Sequence, residues 1–458
     1  MLRPSIALLT LLVACKNGDT TTDTDEVGGE NTEANTAANT DTPGVDGANC
    51  EVDSDNTLLV RCSVTLESAG TTTLTLSATG APTRSFPSES GTELEVVGWA
   101  LKPETEYAWE IGGVQGTVST GALPSDLQGA NIQLTGAPVG FDAVLMPMTC
   151  DSQYFTMVDG DGDVVWYLQN SLYKNGMDAY EWAEDETSLL IGSGTNVVEF
   201  SVTGEQLNSW SGYSGNVHHD LDRWNGYTYM LHNYDNGNAT VDAIHIYDGQ
   251  TLVDTIDFAD HYDTSQGQGE GGPGGDEWGH ANGINLTPDG ELVVSLLLWS
   301  SVVVFDADPT SATFTDKLWV VDGTGDGLPG ADYLVGTGGD DGFERQHNAS
   351  FHDGKLFLFD NTGTGGESRA ARFNLNANTG EIEHEESWGV ESSCPTEGGS
   401  VPIAGGVLAT CANSRDVFEF RDGSATATFE LNASCGGGGG GPGGGGGEGM
   451  NRGIPIVY

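Results

Sequence analysis

The chain has 458 residues, of which 68 are Asp or Glu and only 15 are Lys or Arg, so its formal net charge is −53 at neutral pH. Such an excess of negative charge repels a phosphate backbone, which argues against nucleic acid as a partner. Only eight of the acidic residues fall within residues 16–48. The rest of the chain is therefore itself acidic, as a highly solvated surface would be.

The N-terminus predicts an export signal followed by a lipid attachment site. A basic start, Met1–Arg3, precedes the apolar run Ile6–Val13, which is far shorter than the roughly 20 residues that a membrane span needs. The run ends in Leu12-Val13-Ala14-Cys15, which resembles a bacterial lipobox. We expect residues 1–15 to be a lipoprotein signal peptide and Cys15 to be lipidated. The protein would then be held in the cell envelope outside the cytoplasm, on the periplasmic face or the outer surface, and would contact the membrane only through this lipid.

Residues 16–48 predict a disordered tether. They are rich in Thr, Asn and acidic residues and contain almost no large apolar side chain, so burial cannot offset their chain entropy. A flexible segment of this length has an r.m.s. reach of about 30 Å. That reach would hold a folded body clear of a lipid surface.

Residues 49–124 alternate short β-forming runs with Gly, Pro and Ser turns every eight to twelve residues. This spacing predicts a small β-sandwich. Its later part, residues 101–107 and 117–121, is similar to the end of a fibronectin type III-like domain. We expect a spacer or dimerisation role for it, so a homodimer is one arrangement that the sequence allows.

From residue 125 to residue 458 a longer period replaces this pattern. Groups of strand-like runs recur six times, at about 56 residues per group, which predicts a six-bladed β-propeller with loop insertions. Two of the insertions are rich in glycine, Gln266–Gly275 and Gly436–Gly447. The fold class predicted for the whole chain is therefore all-β, with the propeller preceded by the small sandwich.

The cysteine count favours disulfides. Seven cysteines less the lipidated one leave six, an even number in an oxidising compartment. No two stand at the short spacing of a metal-binding pair, which disfavours ligation of a metal by these cysteines. Proximity in the sequence favours Cys50 with Cys62 and Cys394 with Cys411, which leaves Cys150 and Cys435.

Three histidines each stand at the head of a short apolar run that leads to a turn glycine. The glycine follows after seven residues in His219–Gly226 and His347–Gly354, and after ten in His280–Gly290. Each segment predicts a β-hairpin. In a repeating fold, hairpins at equivalent positions bring their first residues together, so we expect the three imidazoles to meet in one site. Three histidines with Asp220 would also suit Zn²⁺ or Mn²⁺, an alternative to catalysis without a metal.

Several motifs, in the same order along the chain, resemble the bacterial arylsulfate sulfotransferases. Their patterns D-W-x-H-x-N, Q-H-D, F-D-N and S-R-A are similar to the segments Asp276–Asn282, Arg345–Asn348, Leu358–Asn361 and Ser368–Ala370, while His218-His219-Asp220 and residues 451–458 resemble an earlier and a closing segment. The resemblance covers about residues 140–458. It implies a small β-domain before a six-bladed propeller, and transfer of a sulfuryl group from an aryl sulfate to a phenol through a sulfated histidine. Neither a nucleotide donor nor a cofactor would be needed.

The resemblance also assigns roles to residues. His347 would be the nucleophile, because a neutral imidazole attacks well near neutral pH. His280 and Asn282 would donate to the sulfuryl oxygens or protonate the leaving phenol, and His219 would be a second donor or a proton shuttle. Further candidates for substrate binding are Arg345, Asn348, His218 and Arg369.

Period-two alternation along a strand predicts which of these side chains share a face. It places Asn282 with His280 and Arg345 with His347. It turns His218 away from His219.

The chain departs from the family pattern at two positions. The arginine expected downstream of the H-x-N motif is replaced by leucine at about Leu297, and Asn348 stands where the family usually has Asp. Arg345 or Arg369 could supply the missing guanidinium; alternation favours Arg345, whereas Arg369 would more often be a structural arginine that pairs with acidic residues. Two other functions stay open for this reason: a propeller lipoprotein that binds a ligand or metal without catalysis, and a surface adhesion or scaffold protein.

Overall fold

A computed structural model describes residues 43–128, 132–148, 154–172, 178–183, 187–211, 215–265, 276–335, 342–362, 367–390, 394–431 and 452–458. The predicted lipidation site Cys15 and its signal peptide, Cys150, Cys435 and both glycine-rich insertions lie outside these ranges. The described residues form strands almost throughout, with one helical turn, α1 (Phe258–His261). The predicted all-β class is confirmed. No helix in the described ranges is long and apolar enough to cross a membrane.

Seven strands form the N-terminal part of the body. Three of them pair in the order β1-β2-β5 and four in the order β4-β3-β6-β7. The strands are β1 (Val45–Val52), β2 (Val60–Gly70), β3 (Thr73–Ala78), β4 (Ala81–Pro87), β5 (Gly91–Gly98), β6 (Glu106–Ile111) and β7 (Val114–Ser119). Strand β1 begins inside the segment for which the sequence predicts a tether.

These two sheets share an apolar core, to which their strands contribute every second side chain. Along β2, Val60, Cys62 and Val64 are buried while the residues between them are more exposed, the pattern of a strand with one face on a core. They share an apolar cluster with Leu74 and Trp109.

The next strands form three four-stranded antiparallel groups. After β8 (Ile132–Gly136), the first group contains β9 (Ala143–Met148), β10 (Tyr154–Asp159) and β11 (Val164–Gln169). The second is β12 (Ala179–Trp182), β13 (Ser188–Ser193), β14 (Asn196–Ser201) and β15 (Gln206–Ser211). The third is β16 (Asn216–Trp224), β17 (Tyr227–Asp235), β18 (Thr240–Asp248) and β19 (Thr251–Asp257).

Three further groups follow. The fourth is β20 (Ala281–Leu286), β21 (Glu291–Leu296), β22 (Ser301–Asp306) and β23 (Lys317–Asp322). A short strand, β24 (Tyr333–Val335), joins it to the fifth group, which is β25 (His347–His352), β26 (Lys355–Asp360), β27 (Arg369–Asn376) and β28 (Glu381–Gly389). The sixth is β29 (Gly399–Ile403), β30 (Gly406–Cys411), β31 (Asp416–Arg421) and β32 (Ser424–Leu431), which pairs with β8.

The end of the chain returns to the first group. Strand β33 (Ile454–Ile456) pairs with β9 and supplies the fourth strand of that group. Just before it, the buried Arg452 is hydrogen-bonded to the carboxylate of Asp220 on β16 at 2.8 Å and also contacts Glu181 on β12. These contacts tie the chain end to the first strands of two other groups.

Ion pairs of one lysine link the N-terminal sheets to the first group of strands. The Lys102 ammonium contacts the carboxylates of Asp159, Asp161 and Asp163 at 2.5–3.1 Å. The three acids lie at the turn between β10 and β11. Among the described residues, they are the one acidic or histidine cluster close enough to hold a metal ion, and a lysine occupies it. Nearby, the Arg84 guanidinium lies 3.4 Å from the ring centre of Tyr458.

Candidate active site

The three histidines singled out from the sequence lie in, or directly before, the first strands of three consecutive four-stranded groups. His219 lies in β16, His280 directly precedes β20, and His347 is the first residue of β25. Each of these strands pairs in antiparallel fashion with the next one along the chain. The predicted hairpins are confirmed.

The imidazoles meet in one cluster. The ring centres of His219 and His280 are 5.2 Å apart, and those of His219 and His347 are 6.2 Å apart. Nε2 of His219 lies 3.2 Å from Nε2 of His280, within hydrogen-bond distance. The predicted proximity of the three rings is confirmed, because both partners lie beside His219.

His218 also lies beside this cluster, so the prediction that it faces away from His219 is wrong. Its ring centre is 5.1 Å from that of His219 and 6.5 Å from that of His280. The physical reason is the backbone of His219, whose φ is +58°. Alternation of faces requires extended residues, and a left-handed residue breaks it. Nε2 of His218 lies 3.2 Å from a carboxylate oxygen of Asp242.

The same conformation occurs at His280 and Arg345, with φ of +50° and +54°. Alternation of faces assumes extended residues, so these backbones do not support the argument that placed Asn282 with His280 and Arg345 with His347. Left-handed conformations are uncommon for residues other than glycine and often cluster at functional sites. Here they occur at two of the clustered histidines, His219 and His280, and at Arg345, two residues before the third.

His347 is held in one tautomer. Its Nδ1 lies 2.6 Å from Oδ1 of Asn361, which follows β26. The Asn361 amide nitrogen donates to the carbonyl oxygens of Cys394 and Glu397, at 2.8 and 2.7 Å. Since the amide nitrogen is committed to two acceptors, the oxygen must face His347 and accept from Nδ1–H. The lone pair of His347 is thereby on Nε2.

His280 is paired with a carboxylate. Its Nδ1 makes a short hydrogen bond with Oε2 of Glu277, three residues earlier. Burial alone would lower the pKa of His280, but the hydrogen bond and charge of Glu277, helped by Asp242, raise it above its usual value. The pKa of Glu277 is lowered, because its bond with His280 outweighs its burial. Glu277 therefore favours the protonated form of His280.

The other two imidazoles are neutral. Burial lowers the pKa of His347 to about 3, although the bond with Asn361 opposes this change. Burial also lowers the pKa of His219 well below its usual value, and repulsion from His218, His280 and His347 adds to the effect. The site thus combines two imidazoles whose pKa is lowered by burial with a third, His280, whose pKa is raised by a carboxylate.

Arg345 is the arginine that the structure brings to the cluster. Its positive charge disfavours protonation of both rings: it adds to the lowering of the pKa of His347 and opposes the rise in the pKa of His280. Its backbone N–H donates to the Ser300 hydroxyl at 3.2 Å. Leu297, at the position where the family pattern has arginine, is buried and donates its backbone N–H to the carbonyl of His280. The position of the missing arginine is therefore next to His280, and a different arginine lies close to the same histidines.

Arg369 has a structural environment. Its Nε donates to the fully buried Asp360 at 3.0 Å, and its Nη2 donates to the carbonyl of Gly342 at 2.8 Å. No contact of the described residues joins it to the three histidines. The alternative in which Arg369 supplies the missing guanidinium has no support from these contacts.

Three side chains connect neighbouring groups of strands. Asn282 donates to the carbonyl of Gln346 at 2.8 Å, and Asn348 accepts from the N–H of Ser400 at 3.1 Å. Asp220 accepts from the N–H of Ile284 and from Arg452. Each residue ties the histidine-bearing strand to the next one. These contacts occupy the Asp220 carboxylate, which removes it from the metal-ligand set that the sequence allowed.

The motifs and the geometry agree with one family. A family model described as Arylsulfotransferase (ASST) matches residues 137–392. The chain belongs to the arylsulfotransferase family. The match contains His219, His280 and His347, together with Glu277, Asn361 and Arg345.

Solved structures similar to this family member have low sequence identity. A protein of unknown function from Bacteroides caccae is 13% identical, with a TM-score of 0.42, and the match covers 65% of this chain and 96% of that one. A protein from Lactobacillus plantarum is 16% identical, with a TM-score of 0.39 and coverage of 64% and 82%. Virginiamycin B lyase from Staphylococcus aureus is 9% identical, with a TM-score of 0.36 and coverage of 72% and 93%. These likenesses carry no conclusion about activity. A search of curated proteins found no match.

Sequence reasoning missed the partners that orient the two main histidines. Glu277 stands three residues before His280, and Asn361 ends the Leu358–Asn361 motif. Both residues were inside motifs already recognised. The available signal was the general rule that a functional imidazole usually hydrogen-bonds an oxygen through its second nitrogen.

Proposed function

We propose that this arylsulfotransferase transfers a sulfuryl group from an aryl sulfate to a phenol through a covalent intermediate on Nε2 of His347. The observation that carries the proposal is the hydrogen bond from His347 to Asn361, since it leaves the Nε2 lone pair in a buried, neutral imidazole. A neutral nucleophile is needed because a protonated ring has no lone pair to give.

The reaction has two steps. In the first, the Nε2 lone pair forms a bond to sulfur while the bond from sulfur to the aryl oxygen breaks, and its electron pair leaves with that oxygen. In the second, the acceptor phenol gives up its proton, which balances the negative charge taken up by the aryl oxygen in the first step, while its oxygen attacks sulfur and the electron pair of the nitrogen–sulfur bond returns to Nε2. The sulfurylated ring carries positive charge, and its Nδ1–H continues to donate to Asn361.

Charge on the transferred group needs fixed positive partners. The three sulfuryl oxygens share negative charge, and donors placed in advance stabilise it most strongly in a site shielded from water. His280 and Arg345 are the cationic groups beside His347 in the described residues. We propose that Arg345 replaces the guanidinium absent at Leu297, and that His219 acts as a second donor.

The architecture and location are part of the same proposal. Six successive four-stranded groups, closed by β33 against β9, support a six-bladed propeller. The pairing orders β1-β2-β5 and β4-β3-β6-β7 support a fibronectin type III-like sandwich before it. With lipidated Cys15 and a tether that ends before β1 begins at Val45, the enzyme would work outside the cytoplasm on small aromatic substrates, as a monomer or a homodimer.

Release of nitrophenolate from 4-nitrophenyl sulfate, with phenol as acceptor, tests the activity. Wild type should turn over, and His347→Ala should not. His219→Ala should retain a measurable rate, since one donor among several is typically worth about 10²- to 10³-fold. His352→Ala is the matched control, because His352 is exposed at the other end of the same strand.

The covalent step has its own readout. Donor-treated wild type should carry a sulfate mass on the peptide containing His347 after a mildly basic quench. Equal rates for wild type and His347→Ala would exclude the intermediate. A wild type without turnover on activated aryl sulfates would favour ligand binding without catalysis, the function that the loss of arginine at Leu297 also allows.

A further inference from the structure

We propose that Glu277 is the positioning residue that makes His280 the general acid and base of both transfer steps. The inference rests on the proposed function and assigns a role to a residue outside the three-histidine set. Its basis is the geometry of one imidazole with a carboxylate on one nitrogen and the reaction centre on the other.

The contacts of His280 define the direction of proton transfer. Nδ1 is bonded to Oε2 of Glu277, so Nε2 is the nitrogen that faces the cluster, where it lies 3.2 Å from Nε2 of His219. The Glu277 and His280 side chains are 14% and 20% exposed. Partial burial strengthens their attraction over that of a surface pair. The backbone fixes Glu277, because Trp278 N–H donates to the Thr240 carbonyl at 2.9 Å.

The protons balance over the two steps. In the first, Nε2–H of His280 passes its proton to the aryl oxygen as the bond from sulfur breaks, so that a phenol leaves rather than a phenolate. His280 is then neutral and keeps its Nδ1–H on Glu277. In the second, the acceptor phenol gives its proton to Nε2 as its oxygen attacks sulfur. His280 is again cationic at the end of the cycle.

The charged and titratable groups around His280 support this role. Glu277 and Asp242 favour its protonated form, while Arg345 opposes it. The neighbouring imidazoles are those of His218, His219 and His347. Because burial also opposes the charged form, His280 would not be reliably cationic at neutral pH without the Glu277 carboxylate.

Leaving groups of different basicity test the inference. A phenyl sulfate leaving group needs a proton, whereas 4-nitrophenolate is a weak base and leaves without one. Glu277→Gln should therefore lower kcat/KM by about 10²-fold with phenyl sulfate and by less than about tenfold with 4-nitrophenyl sulfate. Glu277→Asp, which keeps a carboxylate, should recover much of the phenyl sulfate rate. Glu385→Gln, which removes a surface ion-pair carboxylate on β28, should match wild type with both donors.

The pH profile gives a second readout. Wild-type kcat/KM with phenyl sulfate should fall on the alkaline side as His280 loses its proton, and Glu277→Gln should move that fall to lower pH. A purely structural role would scale the curve without moving it. Equal losses with both donors and an unmoved alkaline limb would overturn the inference.

A measurement on the wild type alone tests the inference even if Glu277→Gln does not fold. Across a series of aryl sulfates, the rate should depend weakly on phenol basicity at low pH, where His280 is protonated, and steeply at high pH. A steep dependence at every pH would also overturn the inference. Neither result would affect the proposed function, which stands on turnover and on the sulfated His347 peptide.

Discussion

His347 and Asn361 are joined by a 2.6 Å hydrogen bond between Nδ1 and Oδ1, and this bond leaves the lone pair of the imidazole on Nε2. Asn361 is itself fixed by the carbonyl oxygens of Cys394 and Glu397. His347 on β25 is thus oriented by the segment that leads into β29. The site depends on contacts between strand groups as well as on its own strands.

Removing the Asn361 amide should therefore impair catalysis more than stability. Asn361→Ala leaves Nδ1 of His347 without its acceptor and lets either tautomer form, so we expect kcat/KM on 4-nitrophenyl sulfate to fall by about 10²-fold or more. Asn374→Ala is the matched control, since it removes an amide hydrogen-bonded on the exposed face of β27. Unchanged turnover in Asn361→Ala would show that another group sets the tautomer.

Arg345 should carry much of the charge stabilisation. Arg345→Ala removes the guanidinium near His280 and His347, and we expect a loss of about 10²-fold in kcat, judged from typical deletions of an oxyanion donor. Arg372→Ala, which removes a guanidinium in surface ion pairs with Glu385 and Glu386, should leave the rate unchanged. Steady-state rates of the two variants check this. Similar rates would mean that Arg345 does not reach the sulfuryl group.

Leu297→Arg should restore part of the activity lost in Arg345→Ala. Leu297 adjoins the backbone of His280, so an arginine there starts beside the reacting group, and a guanidinium offers paired donors to an oxyanion. Leu297 is buried, which will cost some stability through lost packing. The double variant should be faster than Arg345→Ala, measured beside a melting curve. A folded double variant with no gain in rate would contradict the substitution argument.

The sequence predicts three features correctly because each depends on spacing along the chain. They are the hairpins, the disulfides Cys50–Cys62 and Cys394–Cys411, and the proximity of the three imidazoles. The outcome at His218 could not be predicted. His218 joins the cluster because His219 has a left-handed backbone, which no period-two pattern reveals. For Arg369 the sequence favours a structural pairing with acidic residues, and it pairs with Asp360 because β26 and β27 are neighbours.

The two disulfides allow stability to be separated from catalysis. Cys50–Cys62 links β1 to β2 in the sandwich, and Cys394–Cys411 holds the segment whose carbonyl oxygen accepts from Asn361. Either pair of Cys→Ala changes should cost about 3 kcal/mol of unfolding free energy, given closed loops of similar length. Only Cys394→Ala/Cys411→Ala should also lower kcat, by about tenfold, because a looser Cys394 releases Asn361. Equal kcat values for the two double variants, measured well below their melting temperatures, would contradict this link.

Glu397 should make stability depend on pH. Burial raises the pKa of its carboxyl from the ordinary value of 4.5 to about 7, so the folded protein binds this proton more tightly than the unfolded chain does. The resulting stabilisation is fully present below the ordinary pKa and is lost as the pH rises through the raised one. Glu397→Gln removes the ionisable group. It should melt close to wild type at about pH 4 and about 1–3 °C above it at about pH 8. Glu106→Gln, a change at an exposed position on β6, should have the melting temperature of the wild type at both pH values. Parallel melting curves for wild type and Glu397→Gln across this range would show that the carboxyl ionises without cost in the folded protein.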